Sequence, residues 1–143
     1  MTSILAFMTQ DHRHCDDNCA ATEESVAAGR WDEAGQNWTT FRNALETHLN
    51  REEGILFPAF EAQTGNTQGP TAMMRMEHEQ MRSLVADMQA AVVARDADSF
   101  LGLSETLIIL IQQHNMKEEQ ILYPMSDQVL SDPEILIKQM QEL

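Results

Sequence analysis

Six residues of this chain have the types and spacing to do chemistry together: His12, His48, His78, His114, Glu52 and Glu118. His48 and His114 are each followed, four residues on, by one of the two glutamates. On a helix, positions i and i+4 share a face about 5–6 Å apart. An imidazole and a carboxylate from one helix can therefore reach the same point. This donor set suits iron, and would also take zinc, manganese or cobalt. The spacing has a further regularity. His12 and His48 are symmetric about Arg30, His48 and His78 about Gln63, and His78 and His114 about Asp96. If those three positions are turns between antiparallel helices of equal rise, all four histidines stand at one height.

The chain also repeats weakly under a shift of 66 residues, the step from His12 to His78. The shift carries Met8 to Met74, Asp32 to Asp98, His48 to His114, Glu52 to Glu118, Glu53 to Glu119 and Pro58 to Pro124. Asp11 with Glu77, Leu56 with Leu122 and Phe57 with Tyr123 are conservative matches. Each half then forms one helical hairpin, and two hairpins make an antiparallel, up-down-up-down four-helix bundle. Inward carboxylates without compensation are very costly. Arg82 is the nearest basic residue on these stripes, so two divalent ions are the expected compensation.

The helices that must position these residues follow from the 3.6-residue period. The first is predicted over 3–28, with His12, Cys15, Cys19 and Val26 on one stripe and Gly29 as its stop. The second spans 32–62, capped by Asp32, with Trp38, Phe41, Leu45, His48, Glu52, Ile55 and Leu56 inward. Residues 63–69 read as the central loop. The third starts at Pro70, a favoured first position, and the fourth near Asp98, with Leu107, Ile111, His114, Glu118, Ile121 and Leu122 inward. Pro58 and Pro124 interrupt helical pattern and are expected to kink or end their helices. A short fifth helix is predicted over 132–143, capped by Asp132. Its apolar face could pack across the bundle or form a dimer.

A length of 143 residues and 43% apolar content fit one domain over 1–143, the bundle occupying about 3–130. The net charge of -14 argues against nucleic acid and anionic membrane as partners. Cys15 and Cys19, four apart, make a poor disulfide framework. No signal peptide is read in 1–10, and the apolar run Leu107 to Ile111 is too short to cross a bilayer. A soluble, cytoplasmic protein is expected.

The remaining candidates read more blandly. Cys15 and Cys19 are expected as small buried side chains rather than ligands. Asp16, four after His12, could be an outer acceptor or a surface acid. His14, two after His12, should face away from it. Tyr123 could cap the site through its hydroxyl, but its counterpart Phe57 has none, so packing is the expectation. Met8, Met74 and Met81 are expected to fill core space.

Taken together, Asp11-His12, Glu77-His78, the segment His48 to Pro58 and the segment His114 to Pro124 resemble the hemerythrin-like family, the HHE cation-binding domain, over about residues 3–130. The resemblance implies an up-down-up-down bundle around two non-haem iron ions with a bridging oxo or hydroxo group. Glu52 and Glu118 would bridge and the four histidines would be terminal ligands, with Glu119 the alternative to Glu118. Oxygen-carrying members have a fifth histidine where this chain has Arg82. The four-His, two-Glu set looks more like the subfamily of iron-centre repair proteins and hemerythrin-like stress proteins. Such a set leaves about one position open on each iron, which points to reaction with nitric oxide, peroxide or dioxygen in oxidative or nitrosative stress. The competing expectation is a non-enzymatic oxygen or iron sensor, or an iron store or donor for repair of iron centres.

Overall fold

The structure, a computed structural model, describes residues 2–143; Met1, the start of the segment read above for a signal peptide, lies outside them. The described residues are helical throughout apart from short connections. In chain order they form α1 (Ile4–Ala27), α2 (Trp31–Arg51), a π-helical turn (Glu52–Leu56), α3 (Phe57–Thr64), α4 (Pro70–Val93), α5 (Ala97–Lys117), a second π turn (Glu118–Leu122), α6 (Tyr123–Val129) and α7 (Pro133–Gln141). α1 packs against α2 and α5, and α4 packs against the same two helices, so the four long rods touch in a ring.

Side-chain and backbone chemistry set the ends. Ser3 caps α1 by accepting from the Ala6 amide, while Asp127 of α6 accepts from the Ile4 and Leu5 amides at 2.8 and 3.1 Å. α1 stops where Gly29 turns left-handed at φ 73°, and the Arg30 amide bonds back to the Ser25 carbonyl. The repeat places Arg95 at the equivalent end of α4, with φ 53° and the same closing bond from Asp96 to Ala91. The cap expected at Asp32 is corrected: α2 begins at Trp31, and Asp32 lies in its first turn, where a carboxylate favours the amide end of the helix dipole. Asp96 caps α5 through the Ser99 amide, and Asp132 caps α7 through the Ile135 amide.

Of the two outcomes expected at the prolines, a kink or an end, the end does not occur. Pro58 and Pro124 do not end their rods, since α3 and α6 follow the π turns without a loop. A π turn spaces its hydrogen bonds one residue wider, as in Phe57 amide to Glu52 carbonyl and Tyr123 amide to Glu118 carbonyl. The missing proline donor then falls where the ladder is already interrupted. The extra residue also advances the inward face. Of the two neighbours expected inward, Leu122 is buried but Ile121 is exposed, and Tyr123 is buried next to Leu122.

The apolar interior divides into two clusters. One holds Cys15, Cys19, Trp38, Phe41, Met81, Phe100 and Leu107 among others. The other is built on Ile4, Met8, Leu56, Phe57, Phe60, Leu122 and Tyr123, and it takes in Ile137 and Met140 of α7. The C-terminal helix thus packs on α1 and the first π turn, held also by Arg51 Nε donating to the Met140 carbonyl at 2.8 Å. On each of the four long rods the site histidine falls between residues of the two clusters, so a buried polar layer separates them.

Arg95 holds a backbone conformation that glycine occupies at no steric cost. Arg95→Gly should therefore raise the thermal unfolding midpoint, by up to about 1 kcal/mol of stability. A lowered midpoint would show that the left-handed turn is not under strain.

Candidate metal centre

All six predicted residues meet in that layer. His12, His48, His78 and His114 are 0–3% exposed, and Glu52 and Glu118 are fully buried. Donor atoms of Glu52, His78, His114 and Glu118 lie within 4.8 Å of one another, as do those of His12, His48 and Glu118. Glu118 belongs to both groups, so it is central to the layer. Glu119 turns outward, its side chain 34% exposed.

Each π turn opens with two neighbouring glutamates that serve one histidine. His78 Nε2 lies 3.0 Å from Glu52, and its Nδ1 lies 2.6 Å from Glu53. Across the repeat, His12 Nε2 lies 3.1 Å from Glu118 and its Nδ1 2.7 Å from Glu119. The other two rings follow the same rule at their outer edges. His48 Nδ1 meets Asp11 at 2.7 Å, and His114 Nδ1 meets Glu77 at 2.9 Å. Each imidazole therefore donates from Nδ1 to an outer carboxylate and presents Nε2 to the interior, the arrangement that orients a histidine for a metal. Three outer carboxylates are anchored in turn: Asp11 by Arg51 at 2.9 Å, Glu53 by Arg82 at 2.8 Å, and Glu77 by Lys117. Arg82 also binds Glu46 and Glu79 on the surface, and it does not neutralise the inner pair. Asp16 takes the position equivalent to Arg82, and among the described residues Glu119 has no Lys or Arg partner.

Sequence reasoning missed these four outer carboxylates as a set, although the signal was present: Asp11 maps to Glu77 and Glu53 to Glu119. It also undervalued Tyr123. The ring is fully buried, and the hydroxyl oxygen lies 2.7 Å from Glu52 Oε2, 2.9 Å from Glu118 Oε1 and 3.0 Å from His12 Nε2. The expectation of packing alone is corrected. His14 is exposed, as its angular offset from His12 requires. Cys15 and Cys19 are buried free thiols, and burial pushes both up to about 12.

The donor set fits a cation on its own geometry. His48 Nε2, His114 Nε2 and Glu118 Oε2 are buried without any hydrogen-bond partner. His48 Nε2 and His114 Nε2 do lie 3.5 and 3.2 Å from Glu52 and Glu118, but without the alignment of a hydrogen bond. A buried lone polar atom is expensive, and bound cations would give all three a partner. Electrostatics agree. Burial alone would lower the His48 imidazole, but the charge on Glu52 and the bond to Asp11 raise it to about 10. Glu118 overcomes burial in the same way at His114, which rises to about 9. Burial would raise Glu52, yet His48 and the surrounding donors hold it well below the ordinary carboxylate range. The layer is thus arranged around charge of both signs.

Two outcomes follow. In metal-free protein, the raised histidines add stability that is complete below 6.5 and lost as pH climbs through about 9 and 10. The depressed Glu52 adds stability present above 4.5 and lost as pH falls below it. Chemical unfolding across pH should therefore show greatest metal-free stability between those limits. Cation binding favours neutral imidazole and should remove the alkaline decline. Second, Glu77→Ala should weaken metal binding by about 10–100-fold while leaving the helical circular dichroism intact; unchanged affinity by metal titration would show that the outer carboxylates do not orient the histidines.

Comparison with curated proteins and with solved structures gives no match. A family model described as the hemerythrin HHE cation binding domain matches residues 3–126, a span that contains all six buried His and Glu residues. With that match over most of its length, and with its buried histidine and glutamate donors, the chain belongs to the hemerythrin HHE cation-binding domain family.

Proposed function

We propose that this protein is a single-domain, cytoplasmic, non-haem diiron protein that reacts with a small molecule, nitric oxide, peroxide or dioxygen, in oxidative or nitrosative stress. Its rods would run up, down, up and down as an antiparallel four-helix bundle. His12 and His48 would hold one iron, His78 and His114 the other, with Glu52 and Glu118 shared between them beside a bridging oxo or hydroxo group. The observation that carries this reading is the inward Nε2 atom on each of four buried imidazoles, each fixed by a carboxylate at Nδ1. When bound, such a pair supplies Lewis acidity and redox change to a small ligand.

The surrounding residues support a small substrate. The two apolar clusters lie on either side of the layer and exclude bulk water. A cavity of about 10 Å³ is lined by His12, Cys15, His48, Met81 and His114. A hollow of that size takes about one water-sized molecule, which matches a diatomic or peroxide better than an organic substrate. The exposed surface carries the acidic excess, so cations rather than polyanions are its natural partners.

Metal analysis with an optical spectrum tests the reading. Two irons per chain and near-ultraviolet oxo-to-iron absorption are expected. Glu52→Ala should lose iron and keep its helical circular dichroism. A preparation that takes up no iron, or a Glu52→Ala variant that keeps both ions, would overturn it. Turnover of nitric oxide or peroxide by the loaded protein is the expected activity. Ready transfer of iron to an acceptor without turnover would move the assignment to an iron store or donor.

A further inference from the structure

Tyr123 breaks the internal symmetry of the site at its most sensitive point. The 66-residue shift pairs it with Phe57, and the two rings occupy equivalent places. Tyr123 lies 5.5 Å from His12 between ring centroids, and Phe57 lies 5.5 Å from His78. Both rings are fully buried. Only the Tyr123 ring carries an oxygen, and that oxygen does not point at a backbone group or a surface partner. It is directed at three of the inward donors: His12 Nε2, Glu52 Oε2 and Glu118 Oε1.

The hydroxyl oxygen is 3.0, 2.7 and 2.9 Å from the three donors, and His12 Nε2 is 3.1 Å from Glu118 Oε1. Around a six-coordinate cation with bonds of about 2.1 Å, neighbouring donors lie about 3 Å apart. These separations fit hydrogen bonds and neighbouring ligands of one cation alike; what sets the phenol oxygen among the ligands is that it faces the inward Nε2 of His12 and one oxygen of each buried glutamate. A group that only oriented a carboxylate would sit on its outer edge, as Asp11, Glu53, Glu77 and Glu119 do for the histidines.

We propose that Tyr123 is a seventh metal ligand, so that the cation held by His12 and His48 gains a phenolate oxygen and the cation held by His78 and His114, beside Phe57, does not. The proposal rests on the metal-centre reading above. On binding ferric iron the phenol gives up its proton to solvent, as ligands generally do. The two ions are then unlike. The His12–His48 ion then has one protein ligand more than the His78–His114 ion, and of the histidines lining the small cavity only His114 serves the ion with a position to spare. On this proposal the centre is not equally open at both ions.

The test loads the full-length protein and Tyr123→Phe with ferric iron, then reads iron content, the visible absorption spectrum and resonance Raman scattering. Both proteins should hold two irons per chain. Wild type should show a visible tyrosinate-to-iron charge-transfer band with phenolate ring modes enhanced in its Raman spectrum, and Tyr123→Phe should lose both. Iron uptake by wild type without that band or those modes would overturn the proposal and leave the metal centre standing. No iron uptake by wild type would overturn both. The Raman measurement on wild type decides the matter even if the variant folds poorly.

Discussion

Two carboxylates and four imidazoles placed between apolar clusters demand compensation, and the rest of the molecule is arranged around that demand. Isolated buried charge is among the most expensive features a fold can carry. Here Glu52 and Glu118 are fully buried in a layer flanked by Leu49 and Met81 on one side and by Leu56 and Leu122 on the other. The outer carboxylates at Asp11, Glu53, Glu77 and Glu119 share the cost by fixing each ring, and Arg51, Arg82 and Lys117 anchor three of them from the surface. What the protein's own side chains leave unsatisfied, notably His48 Nε2, His114 Nε2 and Glu118 Oε2, is buried in that layer. Cations would complete that layer.

The backbone serves the same constraint. In each half two consecutive glutamates meet the two edges of one imidazole, Glu52 and Glu53 at His78, Glu118 and Glu119 at His12. The π turns at Glu52–Leu56 and Glu118–Leu122 begin at these glutamate pairs. π turns commonly mark functional positions, and these two sit where ligand, orienting carboxylate and the Phe57 or Tyr123 ring must all be delivered within one short segment. Pro58 and Pro124 directly follow and are compatible with that widened turn.

Much of this was legible in the residues. The equal spacing of His12, His48, His78 and His114, the two His-to-Glu steps and the 66-residue shift placed six side chains in one layer before any coordinates. Such long-range order survives because rise per residue is nearly constant along helices. The local deviations were not legible. A proline inside helical pattern signals disruption, but the pattern alone does not say whether the rod ends or widens by one residue. That uncertainty is why Ile121, read as inward together with Leu122, lies on the surface. The outer carboxylates were visible in the repeat as Asp11 with Glu77 and Glu53 with Glu119, yet their role required knowing which edge of each ring faced out. Tyr123 was discounted because Phe57 lacks a hydroxyl, although a departure from symmetry is where two otherwise equal metal positions would be made different.

The central claim is that the six donors converge on two cation positions within one buried layer. Anomalous diffraction at the iron edge from crystals grown with ferrous iron tests it most directly. Two peaks are predicted, one beside His12 and His48 and one beside His78 and His114, both within bonding reach of Glu52 and Glu118. A single peak, or peaks outside that layer, would contradict the account.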